Sequence, residues 1–524
     1  MNYFFICCSS MFLQFLYSDA ISYFILFIFV YLNYESTSIL ISDESLFFPS
    51  LIIIMTRFEV VFVSTPAIGN IVPIVEFANH LTKHNPQFSA TVLIITVPQL
   101  LLVNTYIQSL SSSTTNLKLI HLPPVHPPTS DQYQSFIPYI SLLIQNHKNN
   151  IKNTLLNLTS SSTESNSDSV KLTAVFVDMF STPIIDVANE ISVPCYLFFA
   201  SPASFLGFML HLPSTESLES ETEFKIPSFK NPLPKPVLPS LVVDKKTGAY
   251  SWMAYHGERY RETKGIIVNT VQELEPHALQ SLYNDLDLPP VYPIGPVLDL
   301  DGPAQWDPNP VQYNYIMEWL DMQEPGSVVF LCFGSLGSLE VKQVEEIAIG
   351  LERTGVRFLW ALRGPPKAQL EDPRDYASYE NVLPDGFLKR TEGMGIVCGW
   401  VPQAKVLAHK AVGGFVSHCG WNSILESLWY GVVVATWPVY AEQQMNAFEM
   451  VRELGLAVEI MVDYTKGGDL VRAEEVENGI KILMNGCDEI RKKVKDMSEK
   501  CRVALMEDGS SYNNLVSLVK ELTK

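Results

Sequence analysis

The strand, turn and helix predicted between residues 414 and 430 constrain the fold of this chain more than any other feature. Gly414 to Ser417 is a short apolar run that fits a buried strand. The next residues, His418-Cys-Gly-Trp-Asn, are typical of a tight turn, and Ser423 is expected to begin a helix toward Tyr430. Free backbone N–H groups and the helix dipole both favour an anion there. We therefore predict a phosphate-binding turn.

The same alternation of elements recurs along the chain and predicts an α/β fold. Apolar runs at 59–64, 90–97, 175–177 and 195–199 alternate with helical stretches at 73–84 and 183–190. The pattern restarts with strands at 328–333 and 358–362 around a helix at 341–352. Such alternation produces a parallel sheet covered by helices on both faces. A chain of 524 residues is long for one core, so two such domains are expected.

Composition and charge exclude several classes of function. The chain is 47% hydrophobic and 18% charged, with a formal net charge of −20 at pH 7. Nucleic acid and anionic membrane surfaces would repel such a chain, so neither is expected as a partner. The eight cysteines lack the paired spacing of a metal or redox site. They are interpreted as reduced, mostly buried thiols of a cytoplasmic protein.

The stretch from Trp400 to Gln443 resembles the signature box of plant secondary-product glycosyltransferases. These family-1 enzymes transfer glucose from UDP-glucose to small acceptors. The stretch begins Trp-Val-Pro-Gln, contains the turn described above and ends Ala-Glu-Gln, and all 44 positions match without a gap. A looser resemblance extends over about Met55 to Lys524. It implies the glycosyltransferase-B fold, in which two Rossmann-like domains face a cleft and the last helix crosses back to the N-terminal domain.

The resemblance and the composition of the connecting segments predict the domain organisation. A Gly/Pro/Asp-rich segment follows Tyr292-Pro-Ile-Gly-Pro and is typical of a linker. The predicted parts are an acceptor-binding domain at 55–298, a linker at 299–315, a UDP-sugar-binding domain at 316–505 and a C-terminal helix within 506–524.

Residues 1–54 differ from the rest of the chain. They are rich in aromatic and aliphatic residues, and the first basic residue is Arg57. The apolar run from Ala20 to Leu32 is too short to span a bilayer alone, and a signal peptide would begin with basic residues. Met55 begins a stretch that resembles the usual start of the family. We interpret 1–54 as a mis-assigned start outside the fold, with a membrane anchor as the alternative.

The signature box supplies a group for each part of a nucleotide sugar. The resemblance implies that Trp400 stacks on uracil, although a core tryptophan at a strand end is the alternative. It also implies that Glu426 accepts hydrogen bonds from the ribose. Glu426 is the third residue after Ser423, so a helix capping box competes for the same carboxylate. The other implied contacts are Val401 and Gln403 at the uracil edge; Ser335, His418, Asn422, Ser423 and the Trp421 backbone at the phosphates; and Trp421, Glu442 and Gln443 at the sugar.

The implied donor is UDP-glucose, because Gln at the final box position accompanies glucose more often than galactose. Departure of UDP builds negative charge, which positioned donors can stabilise. The chain offers no Asp-x-Asp pattern near the site. We therefore expect no metal and no cofactor beyond the co-substrate.

The position of the catalytic base departs from the family pattern. Family members carry Pro-x-x-Gly-His after the first strand, whereas this chain reads Pro66-Ala-Ile-Gly-Asn and places Asn70 at the catalytic position. An amide does not accept a proton near neutral pH. The Asp that orients the family's His matches Asp178. Three interpretations stay open: Asp178 acts as the base directly or through water; the acceptor ionises readily; or the protein binds UDP-sugar without useful turnover.

The acceptor pocket is expected to be aromatic and apolar. Its candidate residues are Ile140, Leu142, Phe199 and Phe205, although half of such residues could simply belong to the core. The run at 198–208 resembles the branch that acts on flavonoids, hydroxycinnamates and related phenolics. The sequence therefore predicts a monomeric, inverting glucosyltransferase that converts a small phenolic or terpenoid into a β-glucoside. A UDP-sugar-binding pseudoenzyme is the alternative.

Overall fold

The computed structural model describes residues 57–110, 117–160, 170–214, 222–243, 245–300, 309–368, 370–461 and 470–524. All of them belong to one unit, Ile54–Lys524. The interpretation of 1–54 therefore falls outside the described residues. Within the described ranges, every helix is too short or too polar to cross a bilayer. The six cysteines in these ranges are free and buried.

The first half of the chain forms a parallel sheet of seven strands. In chain order they are β1 (Arg57–Val63), β2 (Phe88–Ile94), β3 (Leu117–His121), β4 (Val170–Val177), β5 (Cys195–Phe199), β6 (Ile266–Val268) and β7 (Val291–Pro293). The spatial order is β3-β2-β1-β4-β5-β6-β7. The order reverses at β1, which pairs with both β2 and β4. Ligands bind parallel α/β sheets at such a reversal, beyond the carboxyl ends of the strands.

The second half forms a parallel sheet of six strands. They are β8 (Val328–Cys332), β9 (Arg357–Ala361), β10 (Gly395–Cys398), β11 (Val412–Ser417), β12 (Val433–Thr436) and β13 (Ala457–Glu459). The spatial order, β10-β9-β8-β11-β12-β13, reverses at β8. Strands β8 and β11 are wholly buried apolar runs, as expected for a sheet covered on both faces. The two parallel sheets confirm the predicted α/β class.

Helices cover both sheets. In the first half they are α1 (Ile68–His84), α2 (Leu101–Leu110), α3 (Phe136–Asn146), α4 (Lys148–Ser160), α5 (Ile184–Glu190), α6 (Ala203–His211), α7 (Ser240–Val243), α8 (Ala249–Arg259) and α9 (Pro276–Tyr283). In the second half they are α10 (Pro310–Asp321), α11 (Val341–Thr354), α12 (Phe387–Arg390), α13 (Gln403–Leu407), α14 (Trp421–Tyr430), α15 (Gln443–Phe448), α16 (Ala473–Asn485), α17 (Asp488–Leu505) and α18 (Ser510–Leu522). Helix α10 begins inside the interval predicted as linker.

The last helix returns to the first domain. Ser511 Oγ donates to the carbonyl of Gly295 over 2.6 Å, and Asn514 Nδ2 donates to the carbonyl of Pro293 over 3.1 Å. Both acceptors lie at the end of β7 or just after it. The predicted crossing of the C-terminal helix is therefore confirmed.

Helix α1 begins earlier than the sequence indicated. The predicted start at Pro73 was wrong, because the helix begins at Ile68 and Pro73 lies inside it. Proline has no N–H, so the carbonyl four residues before it, that of Gly69, lacks a backbone donor in the helix. That carbonyl lies next to Asn70 and remains available for a contact from elsewhere.

Candidate donor and acceptor site

The predicted phosphate turn connects β11 to α14. Cys419 adopts a left-handed conformation with φ 64°, which turns the chain sharply after the strand. The helix begins at Trp421 with Gly420 as its N-cap, two residues before the predicted start. Ser423 is therefore the third residue of the helix, and the capping-box alternative for Glu426 is wrong. The side chain of Asn446 donates to the Cys419 carbonyl over 3.0 Å and holds the turn.

His418 is wedged between two glycines. A β-carbon on Gly334 would lie 2.4 Å from His418 Nε2, and one on Gly420 would lie 2.5 Å from it. The imidazole is 6% exposed, and burial lowers its pKa to about 4, so it is neutral at physiological pH. Its Nδ1 atom has no hydrogen-bond partner among the described residues. A buried polar atom without a partner at a helix N-terminus is suited to a ligand.

Arg363 joins the phosphate side of the site to its uracil side. Its Nη1 donates to the carbonyl of Ser335 over 2.7 Å, and its Nη2 donates to the carbonyl of Pro373. Its Nε lies 3.4 Å from Asp375 Oδ1, which accepts from the Trp400 backbone N–H over 3.2 Å. This arginine was not among the predicted site residues. Its local signal in the sequence was a cation two positions after an apolar strand.

Trp400 lies at the edge of a cavity. The cavity has a volume of about 560 Å³ and is lined by residues of both halves, including Pro98, Leu101 and Asp372. Trp400 is only half-buried, so it is not a core tryptophan. The neighbouring Val401 side chain is buried in the core.

Gln403 joins the first helical turn of α14 to the predicted ribose site. Its Nε2 donates to Ser423 Oγ over 2.8 Å and to Glu426 Oε2 over 2.7 Å. Burial raises the pKa of Glu426 to about 7, and the nearby Asp299 adds to the shift while the Gln403 hydrogen bond opposes it. These three predicted side chains form one cluster. The Glu426 carboxyl keeps a second oxygen that can accept from a diol.

The three predicted sugar contacts differ in how much of each side chain is free. Gln443 is 2% exposed, and its Oε1 accepts from the backbone N–H groups of Val439 and Tyr440, each over 2.9 Å. Trp421 Nε1 donates to the Asn269 carbonyl of the other domain over 2.7 Å. Glu442 Oε1 accepts from Ser201 Oγ over 3.1 Å. The Glu442 carboxyl also receives hydrogen bonds from the Asn446 side chain and from its own backbone.

Asp178 holds the loop that follows β1. Its Oδ2 accepts from Thr65 N over 2.5 Å, and its Oδ1 accepts from Thr65 Oγ1 over 3.0 Å. Oδ1 also accepts from Phe180 N over 3.1 Å and from Ser181 Oγ over 2.6 Å. The side chain is 1% exposed, and burial raises its pKa although the four donors oppose the shift. This geometry suits an anchor for the loop better than a base that touches the acceptor.

Asn70 lies in the first turn of α1 and is half-buried. Among the described residues, no hydrogen bond joins it to Asp178. The donor domain instead reaches the residue before it, since Asn422 Nδ2 donates to the Gly69 carbonyl over 3.2 Å. This is the carbonyl that Pro73 leaves without a helical donor. The phosphate turn therefore lies against the first turn of α1, which carries residue 70, and Asn422 Oδ1 remains unpartnered among the described residues.

The candidate acceptor residues lie mostly in the core. Ile140, Phe199 and Phe205 are buried, and Leu142 is half-buried. A polar group missed by the sequence analysis lies beside them: His256, whose Nε2 is 2.9 Å from Ser141 Oγ. Since Ser141 Oγ donates to a helix carbonyl, His256 Nε2 carries the proton in this contact. This contact ties α3 to α8 beneath the candidate acceptor pocket.

The chain is similar to known glycosyltransferases. The family described as UDP-glucoronosyl and UDP-glucosyl transferase matches residues 260–496. The chain is 67% identical over 469 residues to UDP-glycosyltransferase 43 of Pueraria montana var. lobata, a match that covers 90% of this chain and 100% of the relative. It is 46% identical to UDP-glucose flavonoid 3-O-glucosyltransferase 6 of Fragaria ananassa, over 87% of this chain and 97% of the relative.

Solved structures agree as well. The crystal structure of Medicago truncatula UGT71G1 complexed with UDP-glucose has a TM-score of 0.79 and 40% identity, covering 89% of this chain and 99% of that one. A transferase from Siraitia grosvenorii in complex with UDP has a TM-score of 0.78 and also 40% identity, over 89% of this chain and 100% of that one. Two parallel-sheet domains, an intact signature box and these likenesses lead to one conclusion: the chain belongs to the plant family-1 UDP-glycosyltransferases and is a hexosyltransferase with the glycosyltransferase-B fold.

Proposed function

We propose that this protein transfers glucose from UDP-glucose, with inversion, to a hydroxyl or carboxyl group of a flavonoid or related plant phenolic. The observation that carries the proposal is the Asn422–Gly69 hydrogen bond, 3.2 Å long. It brings the predicted phosphate turn of one domain to the first turn of α1 in the other domain, which carries residue 70. A sugar bound between them would have its leaving group and its attacking acceptor on opposite sides.

The donor assignment is supported by the uncommitted groups of the site. His418 Nδ1 and Asn422 Oδ1 are buried without partners among the described residues, as expected for a ligand site that is not filled by protein. Glu426 and Gln403 offer polar atoms for the nucleoside, and Glu442 and Gln443 lie at the predicted sugar end. Relatives whose names specify UDP-glucose, such as the Fragaria flavonoid enzyme, favour glucose as the sugar.

The burial of Asp178 argues against a role as the general base. Its oxygens accept four hydrogen bonds from residues 65, 180 and 181, which leaves no short path to an acceptor hydroxyl. We therefore propose that Asp178 positions the loop and that the favoured acceptors ionise readily, as acidic phenols and carboxylic acids do. An acceptor that is already an anion needs no general base.

The test is incubation of the purified protein with UDP-glucose and a panel of phenols and carboxylic acids of graded pKa. UDP release, product mass and the anomeric configuration of the product would be measured together. We expect β-glucosides, with rates that rise as the acceptor pKa falls. UDP-galactose and UDP-glucuronate in direct competition should be used less well, and EDTA should leave the rate unchanged.

A pseudoenzyme is the second candidate, and the replacement of the catalytic His by Asn70 is the observation that favours it. Tight binding of UDP-glucose by calorimetry, without product from any acceptor of the panel, would establish it and would refute the proposed transfer.

A further inference from the structure

We propose that Ser201, a residue of the acceptor-binding domain, positions the carboxylate of Glu442 and thereby contributes to the selection of the donor sugar. The inference rests on the proposed function, because it assumes that Glu442 contacts the sugar. It adds a determinant of donor specificity outside the signature box and in the opposite domain.

The contact lies where the two domains meet. Ser201 follows β5 and precedes α6, and it is 5% exposed. Its Oγ donates to Glu442 Oε1 over 3.1 Å, although the two residues are 241 positions apart in the chain. Glu442 directly precedes α15, after Ala441, whose left-handed φ of 56° turns the chain. The orientation of the carboxyl group is therefore determined jointly by both domains.

The neighbouring side chain increases the importance of this hydrogen bond. Gln443 Oε1 is already used by the backbone N–H groups of residues 439 and 440. Glu442 is then the predicted sugar contact whose carboxyl group is oriented by a side chain of the other domain. Hydrogen bonds to a carboxylate are short and directional. Glucose and galactose differ in the direction of one ring hydroxyl, so a fixed carboxylate accepts from one of them better than from the other.

A second serine provides a matched control. Ser204 Oγ donates to Glu449 Oε2 over 2.6 Å, so it makes the same kind of contact between the same two segments. Glu449 lies seven positions after Glu442, is buried beside Glu275 and is not one of the predicted sugar contacts. Loss of the Ser204 hydroxyl should weaken the domain interface without changing the orientation of Glu442.

The experiment compares the wild type with Ser201→Ala, Ser201→Thr and Ser204→Ala. The kcat/KM values for UDP-glucose and UDP-galactose would be measured with one acceptor, and the Kd values of UDP and UDP-glucose by calorimetry. For Ser201→Ala we expect kcat/KM with UDP-glucose to fall about tenfold, as for the loss of a hydrogen bond to a charged group. The preference for glucose over galactose should fall by a factor of about three or more, and the Kd of UDP should stay within about twofold.

The controls separate positioning from a purely structural effect. Ser201→Thr keeps the hydroxyl and should restore the preference, and Ser204→Ala should leave the preference unchanged. The inference is overturned if Ser201→Ala keeps the wild-type sugar preference and the wild-type ratio of the UDP and UDP-glucose affinities. It is also overturned if Ser204→Ala changes the preference equally. A wild type that binds UDP-glucose more tightly than UDP but never transfers glucose would refute the proposed function. The ratio of the UDP and UDP-glucose affinities in Ser201→Ala would still test the role of Ser201.

Discussion

Glu426 and His418 show how burial sets the charge of individual groups in the donor site. Burial raises the pKa of the Glu426 carboxyl to about 7 and lowers that of the His418 imidazole to about 4. The two shifts act on stability in opposite directions. The contribution of Glu426 to the free energy of unfolding is present below its ordinary pKa near 4.5 and is lost as the pH rises to about 7. The His418 contribution is present above its ordinary pKa near 6.5 and is lost as the pH falls to about 4.

Binding of the donor should change the protonation state of Glu426. A carboxylate accepts from two ribose hydroxyls better than a carboxylic acid does, so binding should favour the ionised form. We expect the Kd of UDP-glucose to be about tenfold weaker at pH 6 than at pH 8, with a plateau above pH 7. Calorimetry over this pH range would measure it. Glu426→Gln should bind more weakly at pH 8 and show little pH dependence, and an unchanged pH profile in that variant would assign the effect to another group.

Asn70 gives the second prediction at the residue scale. Asn70→His would place an imidazole at the family's catalytic position, in the first turn of α1 and directly after the loop that Asp178 anchors. General bases contribute about 10²–10⁴-fold, and we expect a gain of roughly tenfold or more with phenols of ordinary pKa. Carboxylic acids and acidic phenols should gain little. Initial rates with a graded acceptor panel would measure the gain, with Asn70→Ala as the control.

A histidine variant without any gain in rate would contradict this account of Asn70. If the histidine variant binds UDP-glucose normally and gains nothing with any acceptor, the missing base does not limit the protein.

The turn after β8 and the start of helix α14 pack closely against His418. Gly334 has φ 75°, and an added β-carbon would lie 2.4 Å from His418 Nε2. Gly334→Ala should therefore displace the imidazole and weaken UDP binding about tenfold or more, the equivalent of about 1.4 kcal/mol. Gly355 has φ 64° with nothing within 4 Å of an added β-carbon.

Gly355→Ala thus serves as a matched control, since it shares the backbone strain without the contact. It should lower the free energy of unfolding by about 1 kcal/mol and leave UDP affinity unchanged. Calorimetry with UDP and denaturant unfolding of both variants would separate the two effects. Equal UDP affinity in both variants would show that the position of His418 is unimportant for the nucleotide.

The elements themselves were largely predictable, but their ends were not. Apolar runs bounded by turn residues identified the strands that carry the site, because buried parallel strands are nearly continuous apolar segments. The starts of α1 and α14 were misplaced because Pro73 and Ser423 are statistically typical of first turns and caps. Here Pro73 lies inside a helix, and Gly420 takes the capping position instead. Tertiary contacts replaced the local preference in both cases.

At the scale of the whole molecule, the two halves of the chain complete each other's sites. Asn422 contacts Gly69 across a separation of 353 positions, and Ser201 contacts Glu442 across 241. Within the second half, Arg363 connects the Ser335 carbonyl to Asp375, which accepts from the Trp400 backbone N–H. Local periodicity carries no information on such pairs, since it reports only which residues share a face of one element. The signature box therefore predicted the donor-binding residues, whereas their contacts with distant residues required the fold.

All predicted site residues lie in the unit Ile54–Lys524, which gives a prediction for the extension. A protein that begins at Met55 should bind UDP-glucose with the same Kd as the full chain and unfold at the same temperature. Calorimetry and thermal unfolding of the two forms would test this. A weaker Kd or a markedly lower unfolding temperature in the shorter form would show that residues 1–54 contribute to the fold or to the site.

The neutrality of His418 also affects how the protein exchanges its ligands. The groups assigned to the diphosphate are an imidazole without charge, an amide and two hydroxyls, within a chain whose net charge is −20. Their attraction for phosphate comes from dipoles at short range, so the affinity for UDP-glucose should depend only weakly on ionic strength. UDP carries more negative charge after transfer than it did within UDP-glucose. The four side chains assigned to the diphosphate carry no positive charge and do not hold that additional charge more tightly, which should allow the spent nucleotide to leave quickly and the next donor to enter.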